Sequence, residues 1–200
     1  MKPLVIGIAG GTASGKSTVA AEVMKALGDR GLHVMHDRYY ITMPASCEGD
    51  PSRHNFDHPH ALETQRMVND LDHLRNGRPT RLPRYDFASS SRQPEEDHVE
   101  PRPVIIVEGI LVFAEAALRE RFDHLVFVHT PDDIRLLRRI RRDMAERGRD
   151  LDEILLQYER TVRPMHEEFV APSRAHAHVE LDGTGHIPDL VQRVLALIPA

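Results

Sequence analysis

Short runs of apolar residues alternate with longer amphipathic stretches along this chain. Two uninterrupted apolar runs, residues 4–9 and 104–107, are typical of strands that are buried on both faces of a parallel sheet. Three weaker runs predict further strands at residues 32–35, 125–128 and 179–181. The pattern therefore predicts a sheet whose strands are separated by longer segments.

Between the strands, apolar residues recur every three or four positions, which is the spacing of an amphipathic helix. The predicted helices cover residues 18–27, 59–74, 131–147, 151–170 and 187–198. Gly28 and Gly31 end the first helix, and Thr130 and Pro131 fit the N-cap and first position of the third. Alternating strands and helices predict an α/β domain with a mainly parallel sheet flanked by helices.

Residues 76–103 interrupt this alternation because they are rich in proline, serine and charged side chains. We interpret them as a loop or hairpin that is inserted beside the sheet, rather than as a second domain. The chain of 200 residues has the length of one ordinary domain. We therefore expect a single domain over residues 1–200.

Composition and charge exclude several function classes. The chain has 26 basic and 31 acidic side chains and a formal net charge of −5, so it lacks the cationic excess expected of a nucleic-acid partner. Its only cysteine, Cys47, excludes an internal disulfide framework. The apolar runs are too short for a membrane span or a secretory signal, and we expect a soluble cytoplasmic protein with no membrane partner.

A glycine-rich segment joins the first predicted strand to the first helix. Residues 10–17 read GGTASGKS, which fits the pattern G-x-x-x-x-G-K-[ST] in the strand–turn–helix context that it requires. Backbone N–H groups would surround the phosphates of a nucleotide, Lys16 would reach the β- and γ-phosphates, and Ser17 would offer its hydroxyl to Mg²⁺. The predicted phosphate-binding residues are Gly10, Gly11, Thr12, Ala13, Ser14, Gly15, Lys16, Ser17 and Thr18.

This motif alone does not distinguish a kinase from an ATPase or a GTPase. The guanine-binding pattern N-K-x-D is absent, because the only lysines are Lys2, Lys16 and Lys25. A compact domain with an arginine-rich helix favours a kinase of small molecules. Asp37 follows the second predicted strand, where ligands bind in parallel sheets, so it could accept the proton of an attacking hydroxyl or could cap a turn.

The predicted helix 131–147 is rich in arginine. Arg135, Arg138, Arg139 and Arg142 are spaced so that they share one face of the helix. They could form a solvated face with salt bridges. Alternatively, they could belong to an arginine-rich helical lid over residues 131–150, which would close on the phosphates and exclude water.

Several motifs, taken in order along the chain, resemble those of the uridine kinases (uridine–cytidine kinases). They are the phosphate-binding segment, DRYY at residues 37–40, NFDHP at 55–59, PRYDF at 83–87 and EGIL at 108–111. The similarity continues with RRIRRD at 138–143, ERGRD at 146–150, QY at 157–158, VRPM at 162–165 and EF at 168–169. This series of motifs is far more specific than the phosphate-binding segment alone.

The resemblance implies the P-loop kinase fold and the transfer of the γ-phosphate of ATP to the 5′-hydroxyl of uridine or cytidine. By analogy, Asp37 would be the general base, and Lys16 and Arg142 would act with it as catalytic residues. Mg²⁺ would lie at Ser17, Glu108 and Asp37.

The resemblance also assigns the remaining binding residues. Arg142 and Arg147 would bind the phosphates of ATP. The residues implied for the nucleoside are Tyr40, Phe56, Asp57, Tyr85, Phe87, Ser90, Arg139, Arg149 and Gln157. Uridine kinases often assemble as homo-oligomers, which is a further expectation of the resemblance.

One position departs from the family pattern. The inserted segment of uridine kinases usually reads YDFxxHSR, whereas residues 85–92 read YDFASSSR, so Ser90 replaces the histidine that reads the base. A hydroxyl is shorter than an imidazole, which leaves the choice between uridine and cytidine open. Two alternatives stay open as well: a related P-loop kinase with another small alcohol acceptor, and a non-catalytic nucleotide-binding module.

Overall fold

The computed structural model of the chain describes residues 2–47, 54–87 and 89–199. The strands are β1 (Leu4–Ala9), β2 (Gly31–Met35), β3 (Thr80–Asp86), β4 (Ser91–Val99), β5 (Val104–Glu108), β6 (His124–His129) and β7 (Val179–Asp182). Five of them form one sheet in the order β2-β5-β1-β6-β7, and every neighbouring pair is parallel. This sheet confirms the predicted α/β fold class.

Helices cover both faces of the sheet. They are α1 (Lys16–Leu27), α2 (Thr64–Arg75), α3 (Ala116–Arg119), α4 (Asp132–Arg147), α5 (Leu151–Gln157) and α6 (Ile187–Leu195). Successive strand residues point to opposite faces, so Val5 packs with α2 whereas Ile6 packs with α1 and α6. The sheet is therefore buried on both sides, which explains the uninterrupted apolar runs in β1 and β5.

The segment 76–103 contains an antiparallel hairpin, β3–β4, outside the central sheet. It packs against the 3₁₀ turn His36–Tyr39 that follows β2. Arg38 in this turn donates from Nε to the carbonyl oxygen of Pro83 at 2.8 Å and forms an ion pair with Asp97 on β4. The hairpin is thus attached beside the carboxyl end of β2.

The predicted helix over residues 59–74 is wrong in its first part. Pro59–Ala61 is a 3₁₀ turn, in which His58 Nδ1 accepts a hydrogen bond from the backbone N–H of His60 at 3.1 Å. Leu62 then adopts an extended conformation and pairs with Tyr40, so α2 begins only at Thr64. The apolar spacing was correct, but tertiary pairing of Leu62 prevents an earlier start.

The predicted N-cap of the third helix is also wrong. Pro131 has extended dihedral angles, φ −52° and ψ 146°, and α4 begins at Asp132. The Thr130 hydroxyl donates to the carbonyl oxygen of Ser14 at 2.9 Å instead of capping the helix. Thr130 therefore connects the end of β6 to the phosphate-binding segment.

Several other helices begin or end at residues that differ from the predicted ones. The first helix begins two residues before residue 18, and the last ends at Leu195 instead of 198. The predicted helix 151–170 continues as unbroken helical turns to His176, with π-helical turns at Tyr158–Val162 and His166–Val170. These wide turns lie just before Pro164 and Pro172, which lack the N–H groups that α-helical hydrogen bonds need.

Candidate active site

The segment between β1 and α1 forms a compact loop. Gly10 and Gly15 have φ angles of 153° and 98°, which favour glycine, and Ala13 lies at φ 57°. A Cβ on Gly10 would lie 2.5 Å from the carbonyl oxygen of Val128, so the loop requires glycine there. Because α1 begins directly after Gly15, its N-terminus faces the loop, as phosphate binding requires.

Lys16, Ser17 and Glu108 meet at the start of α1. Glu108 is the last residue of β5, is 5% exposed, and pairs in register with Ile8 on β1. The Ser17 hydroxyl lies 3.2 Å from both carboxylate oxygens of Glu108, and Lys16 Nζ lies 4.0 Å from Glu108 Oε2. Thr18, the next residue, is exposed on α1.

The hydroxyl of Ser17 and the carboxylate of Glu108 are ligand types that suit Mg²⁺. Among residues 2–47, 54–87 and 89–199, no group of three His, Cys, Asp or Glu side chains could hold a metal by itself.

Asp37 lies on the 3₁₀ turn immediately after β2. Because Met35 pairs with Glu108 across β2 and β5, the register brings Asp37 to the same edge of the sheet as Glu108. Burial and the negative charge of Glu108 raise the pKa of Asp37 from 3.8 to about 6, against the opposing effects of Lys16 and of two lid arginines, Arg147 and Arg142. A carboxylate with this pKa is suited to accept a proton near neutral pH.

Arg139 connects the lid helix to the phosphate-binding segment. It is buried, and its Nη1 donates to the Thr12 hydroxyl at 3.1 Å. Its Nη2 donates to the side-chain oxygen of Gln157 at 2.9 Å, and Arg149 Nη1 donates to the same oxygen at 2.6 Å. Three residues that the resemblance assigns to the nucleoside therefore form one network against the phosphate site.

Asp143 belongs to the site, although the sequence analysis left it out of the predicted site residues. It is fully buried, and it forms ion pairs with Arg139, Arg142, Arg147 and Arg149 at 3.5, 2.8, 3.5 and 3.9 Å. Its spacing of four residues from both Arg139 and Arg147 was a usable signal, since such pairs share a helix face. Arg147 is the most exposed of the four, at 49% of its side chain.

The aromatic residues form a continuous row beside Asp37. The ring centroids of Tyr40 and Phe56 lie 5.8 Å apart, those of Tyr40 and Tyr85 5.4 Å apart, and those of Tyr85 and Phe87 5.2 Å apart. Tyr40 is buried, whereas Phe87 is 56% exposed at the tip of the hairpin. Such a row can pack against a planar base, with Phe87 at its outer end.

Asp57 lies at the inner end of this row. It is buried, and burial raises its pKa, as does the charge of Asp37, while Arg139 and Lys16 oppose the shift. Asp57 is therefore close enough to Asp37 and to the lid to interact with both electrostatically. A carboxylate in that position can accept hydrogen bonds from sugar hydroxyls.

Ser90 lies under the hairpin tip. It is buried with φ 50°, and its carbonyl oxygen accepts a hydrogen bond from the N–H of Met43 at 3.0 Å. Burial raises the pKa of Tyr85, and the nearby Ser90 side chain opposes that shift. The Tyr85 hydroxyl is buried, and the Ser90 side chain is its hydrogen-bonding neighbour.

Arg92 is the second residue that the sequence reasoning missed. Its guanidinium donates to the carbonyl oxygen of Tyr39 at 2.8 Å and to that of Tyr40 at 3.0 and 2.7 Å. It also forms an ion pair with Glu63. Arg92 thereby holds the hairpin, with Tyr85 and Ser90, against the turn that carries Asp37.

The chain is similar to known kinases over nearly its whole length. The model of the phosphoribulokinase/uridine kinase family matches residues 5–186. The uridine kinase of Chloroflexus aggregans is 47% identical over 199 residues, which cover 99% of this chain and 95% of that protein. The uridine kinase of Streptococcus uberis is 39% identical over 98% of this chain and 91% of its own length.

A comparison of structures supports the fold assignment. The phosphoribulokinase from Rhodobacter spheroides superimposes with a TM-score of 0.67 at 12% identity, covering 92% of this chain and 73% of that chain. At this identity the likeness concerns the fold alone. Within the described residues, none of the helices has the length and apolar character needed to cross a membrane.

Proposed function

The chain belongs to the phosphoribulokinase/uridine kinase family, and we propose that it transfers the γ-phosphoryl group of ATP to the 5′-hydroxyl of uridine or cytidine. It is a nucleoside kinase. One observation supports the proposal beyond the family similarity: Asp37, whose pKa is raised to about 6, interacts electrostatically with Lys16 and Glu108 at the phosphate site and with Tyr40 of the aromatic row. A base in this position serves an acceptor hydroxyl that is held by the aromatic residues.

The proposed reaction is a direct transfer. Asp37 accepts the proton of the 5′-hydroxyl as that oxygen bonds to the γ-phosphorus. The bond between the γ-phosphorus and its bridging oxygen breaks, and ADP leaves. Lys16 and Arg142 would stabilise the charge on the transferring group, and Arg147 would bind the phosphates of ATP beside them.

Mg²⁺ would neutralise charge on the ATP phosphates when it is bound. Ser17 and Glu108 would hold it at the start of α1, with Asp37 near enough to contribute an oxygen directly or through water. The oxygen ligands and the mutual proximity of Ser17 and Glu108 support this assignment.

The nucleoside would lie along the aromatic row, with its sugar toward the lid. Asp57 would accept hydrogen bonds from the ribose hydroxyls, while Arg139, Arg149 and Gln157 would close over the sugar and the transferring group. Tyr40, Phe56, Tyr85 and Phe87 would contact the base. The network joining Arg139, Arg149 and Gln157 supports a lid that acts as one unit.

The serine at position 90 is the reason to consider a second class of acceptor. A serine in the place of a histidine, next to the buried Tyr85 hydroxyl, offers the base edge a shorter side chain than the family pattern has. A related kinase acting on another small alcohol is therefore the second candidate.

The test is ADP release from ATP and Mg²⁺ with uridine, cytidine and a panel of other alcohols, followed by product mass. Lys16→Met should abolish turnover, whereas Lys25→Met, which removes an exposed lysine on the same helix, should not. We expect UMP or CMP. Turnover with another alcohol alone would favour the second candidate, and ATP binding without any product would favour a non-catalytic module.

A further inference from the structure

The end of α4 gathers charged side chains around one buried carboxylate. Gly148 has φ 62°, and the N–H groups of Gly148 and Arg149 both point to the carbonyl oxygen of Asp143. This turn reverses the chain just after Arg147 and returns Arg149 toward the helix. The backbone of Asp143 thus ends the helix while its side chain contacts the arginines on both sides of the turn.

The contacts with Asp143 occupy one edge of the Arg142 guanidinium and the Nε side of Arg139. Arg142 directs Nε and Nη2 at Asp143 Oδ1, both at 2.8 Å, and its Nη1, which has no hydrogen bond to the described residues, is left for a ligand oxygen. Arg139 turns Nε toward Asp143 Oδ2 at 3.5 Å, while its Nη1 and Nη2 bind Thr12 and Gln157. The carboxylate therefore fixes the orientation of Arg142 and lies against Arg139, whose Nη1 reaches the phosphate-binding segment at Thr12.

The charges around Asp143 do not balance. Four guanidinium groups contact one carboxylate, so the cluster has an excess of positive charge that an ATP phosphate can match. Without the carboxylate, the guanidinium groups would repel one another, and those with exposed side chains would turn toward solvent.

We propose that Asp143 is a positioning residue for phosphoryl transfer, which holds the lid arginines in the arrangement that the transferring phosphoryl group requires. The inference rests on the proposed nucleoside kinase function. Asp143 acts through Arg139, Arg142, Arg147 and Arg149 and does not touch substrate. We therefore expect its contribution in the transition state and in the contacts of Arg142 and Arg147 with the γ-phosphoryl group, whereas ADP, which lacks that group, is held by Lys16 and the phosphate-binding loop.

If Asp143 had only a structural role, its replacement would have a different effect on ligand binding. Its loss would lower stability, and would reduce the binding of ground-state and transition-state ligands together or leave both unchanged. The positioning role predicts a selective loss: ADP should bind nearly as before, whereas ADP with aluminium fluoride and uridine, which imitates the transferring phosphoryl group, should bind far more weakly.

The experiment compares wild type with Asp143→Asn, Asp143→Glu and a control, Asp133→Asn, which removes an exposed carboxylate from the same helix. Uridine phosphorylation by the wild type is measured first, so that failure of the proposed function is recognised separately. We expect kcat to fall about 30-fold or more in Asp143→Asn, with ADP affinity within about threefold and most affinity for the aluminium fluoride complex lost. Asp143→Glu, which keeps the negative charge, should lose only about 3- to 10-fold in kcat, and the control should match wild type.

The stoichiometry of ADP binding, measured by calorimetry, gives the fraction of folded protein in each variant. An Asp143→Asn variant within about twofold of wild-type kcat would overturn the inference. An equal loss of affinity for ADP and for the aluminium fluoride complex would overturn it as well. If Asp143→Asn does not fold, Asp143→Glu decides alone. Its displaced carboxylate should reduce kcat and affinity for the aluminium fluoride complex by about 3- to 10-fold without changing ADP affinity, and a variant identical to wild type would contradict the role.

Discussion

Asp37 and Glu108 lie at the ends of neighbouring parallel strands, and the charge of Glu108 contributes to raising the pKa of Asp37 to about 6. The two carboxyl groups share their surroundings but differ in their contacts. Glu108 faces the Ser17 hydroxyl and the Lys16 ammonium, whereas Asp37 lies toward the aromatic row. The surroundings of Glu108 thus suit a metal ligand, and those of Asp37 suit a general base.

Replacing Asp37 by asparagine tests this division. The amide cannot accept the proton, so kcat for nucleoside phosphorylation should fall about 10²- to 10⁴-fold, while ATP affinity stays within about threefold. The measurement is ADP release at saturating ATP, with nucleotide affinity from calorimetry. The control is Asp29→Asn, which removes an exposed carboxylate just after the C-terminal end of α1. Retention of more than a tenth of wild-type kcat would exclude Asp37 as the base.

The same substitution should stabilise the protein at high pH. The pKa of Asp37 is higher in the folded state than its ordinary value of 3.8, so its ionisation removes stability as the pH rises from about 4 through 6. Asparagine carries no such cost. Asp37→Asn should exceed wild type by about 3 kcal/mol in the free energy of unfolding at pH 8, and by less than about 1 kcal/mol at pH 4.

Urea unfolding in magnesium-free buffer at several pH values measures this difference. Asp29→Asn should show no comparable pH dependence. A difference between Asp37→Asn and wild type that is the same at pH 4 and pH 8 would show that burial of the Asp37 charge does not cost stability.

Arg92 offers a test of the hairpin's role. Arg92→Gln removes its bonds to the carbonyl oxygens of Tyr39 and Tyr40, so the hairpin should separate from the acceptor side of the site. We expect KM for the nucleoside to rise about tenfold with KM for ATP unchanged, and faster amide hydrogen exchange in β3 and β4. Arg81→Gln, at an exposed position on the same hairpin, should behave as wild type. An equal rise in both KM values would argue against this role.

Much of the fold was predictable because strands buried on both faces are continuously apolar and helices of this domain are amphipathic. The parallel sheet and the position of the phosphate-binding segment followed from those patterns. The errors arose where tertiary contacts override local signals. Leu62 pairs with Tyr40 instead of joining α2, and Thr130 binds Ser14 instead of capping α4.

The candidate site was predictable only in part. Motif similarity pointed to residues that would touch ligands, and the structure brings six of them within electrostatic reach of Asp37: Lys16, Tyr40, Asp57, Glu108, Arg142 and Arg147. Asp143 and Arg92 were not among the predicted site residues because each contacts other protein groups rather than a ligand. Their partners are set by the turn at Gly148 and by the docking of the hairpin. A linear sequence contains the charges but not the contacts between segments.

Base selection should depend on Ser90. Ser90→His restores the longer side chain of the family pattern, and histidine is among the residues that tolerate the φ of 50° found there. We expect the ratio of kcat/KM between uridine and cytidine to change about tenfold, because an added ring can bond the base edge. The exposed Ser89→His is the control. An unchanged ratio in Ser90→His would mean that residue 90 does not contact the base.

The most direct test of the proposed function is to follow the phosphoryl group itself. Wild-type protein is incubated with ATP labelled in its γ-phosphoryl group, Mg²⁺ and uridine or cytidine, and the product is characterised by mass and phosphorus NMR. We expect the label on the 5′-oxygen of the nucleoside, with ADP formed in equal amount. Label found only in inorganic phosphate, or on another oxygen, would contradict it.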